Sequence, residues 1–236
     1  MDPNKFYKGL WDNKKDDNFE AMKKGRDWFH RFILDPIFDP LLNPRSDVAL
    51  KLLGSGQSLL DIGCWDGRLL EKLRDAGLYK ELAGIDIVEA GVDLAREKGF
   101  NAQVVDLNAG VIPFPDQHFD AVTMLAVLEH VFDPYSIIRE IRRILRPGGT
   151  LIVDVPNAAS VTNRARILLG RIPVTSYDTG WDGGHLHYFT KHALDHFLQS
   201  EGFDILARKT TGGSPHFREW WISLMGGELI YLCRRR

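Results

Sequence analysis

"SLLDIGCWDGRLLEKL", residues 58–73, is the stretch on which the fold turns. An apolar run passes through Gly63 and Gly67 straight into a helical pattern of leucines. Such a strand-to-helix turn offers backbone N–H groups and a helix N-terminus to a negatively charged ligand group. Glycines there also serve turn geometry alone, so the stretch does not by itself name a ligand. Where loops of this kind often carry a middle glycine, this one carries Trp65. Such a residue is expected to keep an ordinary L-residue backbone conformation, with its ring turned off the ligand.

Outward from this loop the chain alternates between short apolar strands and helices. "GRLLEKLRDAG" reads as a helix ended by Gly77, "ELAGIDI" as a strand, "AGVDLAREKGF" as a helix ended by Gly99, and "NAQVVDL" as a third strand. "FDAVTMLAV" follows as a fourth strand. Residues 134–145 form a helix whose Ile137, Ile141 and Leu145 recur every four positions. "RPGGTLIVDVPN" gives a turn and a fifth strand. Strands alternating with helices indicate a parallel sheet covered on both faces. After Pro156 the pattern breaks, and residues 157–189 read as an insertion. "KHALDHFLQSEGF" then restores a helix, capped by Thr190. "DILARKTT" and "GELIYLCRR" close the chain as two strands without a long helix between them, hence antiparallel. Ahead of the loop, residues 1–46 read as a helical cap segment, with a helix near 16–34 and prolines at 36, 40 and 44. Residues 47–236 are the main domain.

The 236 residues suit one α/β domain. Apolar residues make up 44% and charged residues 26%. Lys plus Arg count 30 against 32 for Asp plus Glu, a net charge of −2, so no electrostatic footprint for nucleic acid or an anionic membrane is present. Cys64 and Cys233 make no metal spacing and read as reduced thiols of a cytoplasmic protein. The opening residues lack the apolar core of a signal peptide. The terminal Arg234–Arg236 read as a solvated strand end, and Trp220 with Trp221 as a pair packed on the sheet or on a partner.

Three acids fall at strand ends, Asp61, Asp86 and Asp106, the last with Leu107 and Asn108 beside it. They share the carboxyl edge of the sheet, where open α/β folds bind ligands. Asp86 can accept hydrogen bonds from both hydroxyls of a ribose, or it can cap the helix near Glu89.

Residues 58–156 resemble the class I S-adenosylmethionine-dependent methyltransferases. The resemblance rests on "LLDIGCWDG", "GIDI", "VVDL", "IPFPDQHFDAVTMLAVLEHVFDP" and "RILRPGGTLIVDVPN". It implies a doubly wound, Rossmann-like α/β fold: seven strands, mostly parallel, with one antiparallel C-terminal strand. It also implies S-adenosyl-L-methionine as cofactor. The loop residues Asp61, Gly63, Cys64, Trp65 and Gly67 would hold the methionine end. Asp86 and Ile87 would take the ribose, Asp106 and Leu107 the adenine, and Leu125 would pack near the sulfonium. That cofactor has no pyrophosphate, so the missing middle glycine is compatible with it.

"VLEHV" places Glu129 and His130 just past the fourth strand. A similar segment in ubiquinone-type O-methyltransferases carries acids that hold a metal. Here the first acid's place is Ala126, so no metal is expected. His130 is either a residue of the acceptor pocket or a satisfied structural histidine. "WDGGHLHYFT" closes the insertion with Trp181, Asp182, His185, His187 and Tyr188. His185 and Tyr188, with His130, are the candidate catalytic groups, Tyr177 and the aromatic start (Phe6, Tyr7, Trp11) completing the wall. His185 and His187 lack a third ligand for zinc. "ARILLGRIPVT" followed by "WDGGHLHYFT" is similar to MetW-type proteins of methionine biosynthesis. Two functions are therefore open: methyl transfer to the O, N or C atom of a small-molecule acceptor, or a non-catalytic partner subunit of a homoserine acyltransferase. A protein partner would be that acyltransferase or a second copy of the chain.

Overall fold

The structure is a computed structural model that describes residues 44–176, 184–211 and 215–236. Helix α1 (Arg45–Leu52) leads into β1 (Gly56–Ile62), followed by α2 (Arg68–Asp75), β2 (Tyr79–Asp86), α3 (Glu89–Glu97) and β3 (Asn101–Val104). Then come β4 (Phe119–Leu125), α4 (Pro134–Ile144), β5 (Leu145–Pro156) and α5 (Val161–Leu168). The chain closes with α6 (Lys191–Ser200), β6 (Phe203–Lys209), the short helices α7 (Pro215–Trp220) and α8 (Ile222–Met225), and β7 (Glu228–Arg235).

The described residues form one seven-stranded sheet in the order β3-β2-β1-β4-β5-β7-β6. Neighbours from β3 to β5 are parallel. β7 runs antiparallel to both β5 and β6. This is the expected doubly wound, Rossmann-like arrangement with a single antiparallel strand, and it follows from burial on both sheet faces. Successive residues of a strand point to opposite faces. Leu59, Ala121, Ile152 and Ile230 pack under α1 and α2 with Val48, Leu70 and Leu73. Leu60, Val122, Leu151 and Val153 pack under α4 and α6 with Ile137, Ile138, Ile141, Leu194 and Leu198. Helix α4 begins where Asp133 accepts hydrogen bonds from the Tyr135 and Ser136 N–H groups, with Pro134 at the first helical position. Thr190 caps α6 by accepting from the Ala193 N–H.

Several sequence expectations shift. The boundary between residues 46 and 47 falls inside α1, whose first residue, Arg45, is tied to Asp154 and Glu228. The helix expected at 16–34, the aromatic start, Tyr177, Trp181 and Asp182 lie outside the described residues. Strand β3 stops at Val104, so Asp106 lies two residues beyond the strand rather than at its end. Trp220 and Trp221 do not pack on the sheet: they are 81% and 53% exposed and meet each other edge to face. No described helix is long and apolar enough to cross a membrane.

The β1 loop lies tightly on β2. A Cβ on Gly84 would stand 2.6 Å from the Cys64 Sγ and 2.8 Å from its Cβ. Gly84→Ala should therefore cost about 1–3 kcal/mol, the range for overpacking a filled core. A denaturation midpoint equal to that of the parent would show that Cys64 can move aside.

Candidate active site

The carboxyl ends of β1, β2 and β4 meet at the glycine loop. Gly63 and Gly67 hold φ values of 79° and 76°, which only glycine adopts without strain. Trp65 stands between them at φ 45°, in the left-handed region. The expectation of an ordinary backbone there is wrong, and the surroundings give the reason. Gly63 and Cys64 donate to the Ile85 carbonyl at 2.8 and 3.1 Å, and Trp65 donates its N–H to Asp86 Oδ2 at 2.9 Å. That last bond is made with the chain turned left at Trp65. The indole then lies against α3, its ring atoms 3.0–3.1 Å from where a Gly91 Cβ would be.

Asp86 is the hub of this edge. Its Oδ1 accepts the Val88 N–H at 2.9 Å, so each carboxylate oxygen holds one backbone donor. A carboxylate offers about four acceptor positions, which leaves room for two ribose hydroxyls on a partly exposed group. Burial raises its pKa, and the backbone N–H groups of Val88 and Trp65, with that of Ile87 nearby, oppose that rise. Next along the edge, Val105 donates to the Asp86 carbonyl at 2.9 Å, which brings Asp106 and Leu107 alongside. Asp106 accepts the Asn108 N–H at 2.9 Å, capping a short 3₁₀ turn, Leu107–Ala109. On these observations the residues fit S-adenosylmethionine.

Asp61 behaves differently. Only 3% exposed, it accepts the Thr123 hydroxyl at 2.7 Å beneath the loop. Burial, aided by the nearby Asp86 charge, pushes its pKa up to about 7 against the Thr123 bond.

β4 ends at Leu125, half-buried and paired with Asp154 of β5. Ala126 follows at φ 55°, its N–H donating to the Asp154 carbonyl at 3.0 Å. The next residue packs on the glycine loop: Val127 Cγ2 lies 2.3 Å from where a Gly63 Cβ would stand. A 3₁₀ turn, Leu128–His130, then presents Glu129 and His130 ahead of α4. The Glu129 carbonyl accepts the Leu186 and His187 N–H groups at 2.8 and 3.2 Å, which pins the end of the insertion here. His185 is thereby set beside His130, ring centroids 4.7 Å apart, with its Nε2 3.9 Å from Glu129 Oε1. The His185 Nδ1 bonds Thr175 Oγ1 at 2.6 Å, and the His130 Nδ1 lies 3.4 Å from the Gly184 carbonyl. His187 turns away to the Val131 carbonyl at 2.9 Å. Tyr188 is half exposed.

The structure thus joins two of the three expected catalytic residues, His130 and His185, around Glu129, which the sequence reading named but did not count among the catalytic groups. Glu129 is 1% exposed, and neither carboxylate oxygen has a hydrogen-bond partner. Burial pushes its pKa up to about 8. Asp154, fully buried, lies 3.4 Å from Arg45, which also pairs with Glu228. Burial and the Glu228 charge raise its pKa well above the carboxylate range. Glu129 was discounted because Ala126 cannot serve as its companion; its companion comes from the far end of the insertion.

A doubly wound sheet with one antiparallel strand, a glycine loop and a ribose-ready acid at β2 defines the class I S-adenosylmethionine-dependent methyltransferases. The chain belongs to the methyltransferase domain family, whose family model matches residues 37–208. Among relatives, it is 37% identical over 119 residues to the 27-O-demethylrifamycin SV methyltransferase of Amycolatopsis mediterranei, covering 46% of this chain and 43% of that one. It is 35% identical over 147 residues to a ubiquinone biosynthesis O-methyltransferase of Pseudomonas fluorescens, covering 59% and 61%. The chain thus spans about half the length of these curated relatives. A solved Thermotoga maritima structure, described as an S-adenosylmethionine-dependent methyltransferase and possible histamine N-methyltransferase, superposes with a TM-score of 0.62 at 19% identity, covering 88% and 95%. The acyltransferase-partner reading gains no support from these relatives and is not carried further.

Asp61 gives a test of this electrostatic picture. Its folded pKa, about 7, lies above the ordinary carboxyl value of 3.8. Its contribution to stability is therefore present below about pH 4 and is lost as pH rises through 7. The loss should be on the order of 2–4 kcal/mol. Asp61→Asn keeps an acceptor for Thr123 and cannot ionise. In urea denaturation of the ligand-free protein it should gain on the parent between pH 4 and pH 8. Parallel pH profiles would refute the buried, protonated Asp61.

Proposed function

We propose that the chain transfers the methyl group of S-adenosylmethionine to an oxygen of a small-molecule acceptor. The observation that carries this reading is the Glu129–His130–His185 group, standing on the segment that packs against the glycine loop. Oxygen is favoured because the rifamycin and ubiquinone relatives are both named for O-methylation.

The cofactor supplies a methyl carbon already activated by its sulfonium. What remains for the protein is alignment, a dry pocket and a destination for the acceptor's proton. In this reading the loop from Gly63 to Gly67, with Cys64 and Trp65, holds the methionine end, and the buried Asp61 braces the loop from below. Asp86 accepts the ribose hydroxyls on its remaining lone pairs, with Ile87 beside it. Asp106 and Leu107 border the adenine, and Leu125 packs beside the methyl group. His130 and His185 stand where the acceptor hydroxyl loses its proton, and Tyr188 forms the rim.

Two measurements separate the halves of the site. Asp86→Ala removes the acceptor for two hydroxyls and should weaken S-adenosylmethionine about tenfold to a hundredfold in calorimetric titration, equivalent to about 1.5–3 kcal/mol. Unchanged affinity would overturn the ribose assignment. His185→Ala should bind the cofactor as the parent does yet lower kcat/KM for a hydroxylated acceptor on the order of a hundredfold or more. An acceptor screen in which transfer never exceeds the protein-free control would overturn the enzymatic reading itself.

A further inference from the structure

We propose that Glu129, His130 and His185 form a binding site for a first-row divalent transition ion, of which Zn²⁺ is the representative. One ligand atom from each residue lies within 4.8 Å of the other two. Ligands at 2.0–2.1 Å from one ion stand at most about 4.2 Å apart. The three atoms therefore need to draw together by about an ångström.

A second observation is independent of that spacing. Glu129 is 1% exposed, both of its oxygens lack a hydrogen-bond partner, and its Oε1 lies 3.9 Å from the His185 Nε2. Buried polar atoms are almost always paired, because leaving one unpaired costs about 1–3 kcal/mol. Arg45, the guanidinium whose charge reaches Glu129, is engaged by Asp154 at 3.4 Å and by Glu228. A cation between Glu129 and the two imidazoles would satisfy these oxygens.

The surroundings orient the ligands as metal sites require. Coordination through the His185 Nε2 needs the proton on Nδ1, and Nδ1 lies 2.6 Å from Thr175 Oγ1, which can accept that proton's bond. The Glu129 carbonyl receives the Leu186 and His187 N–H groups, so the two segments that supply the ligands are fastened to each other by backbone bonds. Two imidazoles and one carboxylate form the set used by three-ligand zinc sites that keep a position open. Mg²⁺ and Ca²⁺ prefer all-oxygen surroundings and fit poorly. The proposal is independent of the methyl-transfer reading, because metal binding is read without turnover.

The test is titration of the chelator-stripped full chain with Co²⁺. One equivalent should bind, produce visible d–d absorption, yield to Zn²⁺ and ignore excess Mg²⁺. Glu129→Gln and His185→Asn should each weaken binding at least tenfold, and Thr175→Val about tenfold. His187→Asn should bind as the parent does, since that ring serves the Val131 carbonyl. Thermal melts of the stripped variants establish that each is folded. Should Glu129→Gln fail to fold, His185→Asn and Thr175→Val decide the matter, because both lie on the insertion rather than in the sheet. Absence of stoichiometric Co²⁺ binding, or equal affinity in the folded Glu129 and His185 variants, would overturn the site.

Discussion

Asp86 holds two backbone N–H groups at once, from Trp65 and from Val88, and so fastens the glycine loop, the end of β2 and the approach to α3 with a single carboxylate. A non-glycine residue in the left-handed region costs on the order of 1–3 kcal/mol. A hydrogen bond to a charged acceptor returns about 1.5–3 kcal/mol, which offsets that strain at Trp65. The indole seated over Gly91 adds packing on the same side. The loop's shape thus comes from bonds made within the protein. A middle glycine would reach the same conformation without strain. Tryptophan reaches it because Asp86 and Gly91 receive its two ends.

Most of this architecture was legible in the alternation of apolar runs, since burial on both faces leaves an unmistakable period. Leu59 and Leu60 are adjacent in sequence and sit in different core clusters on opposite faces, as an extended chain demands. The antiparallel β7 followed from the lack of a crossover helix before it. The limits of β3 were less legible, because Val105 continues the apolar run and still donates to the Asp86 carbonyl of β2, although the strand ends at Val104. The backbone of Trp65 was misread for a related reason. Local propensity disfavours a left-handed tryptophan, and the compensating contacts come from Asp86 and Gly91 across the loop.

The cluster at Glu129 lay beyond sequence reasoning altogether. Each segment, judged alone, is short of partners: Glu129 has Ala126 where an acid would help, and His185 has His187, which faces another way. What joins them is a pair of backbone hydrogen bonds between residues far apart in the chain. No periodicity or spacing encodes such a contact. The one available signal was chemical, a glutamate inside the apolar "AVLEHV" run, where a buried carboxyl demands an explanation.

The two sides of the site differ in how their polar groups are satisfied. On the cofactor side, Asp86 and Asp106 already hold backbone donors, and Asp61 holds Thr123. On the other side, the buried oxygens of Glu129 and Asp154 accept no hydrogen bond, and Arg45 is shared as an ion pair between Asp154 and Glu228. Isolated charges in such surroundings are costly, and burial answers by favouring the protonated carboxyl. Acids along this edge thus take two routes: donors of the chain itself hold Asp86 and Asp106, while burial favours the proton on Glu129.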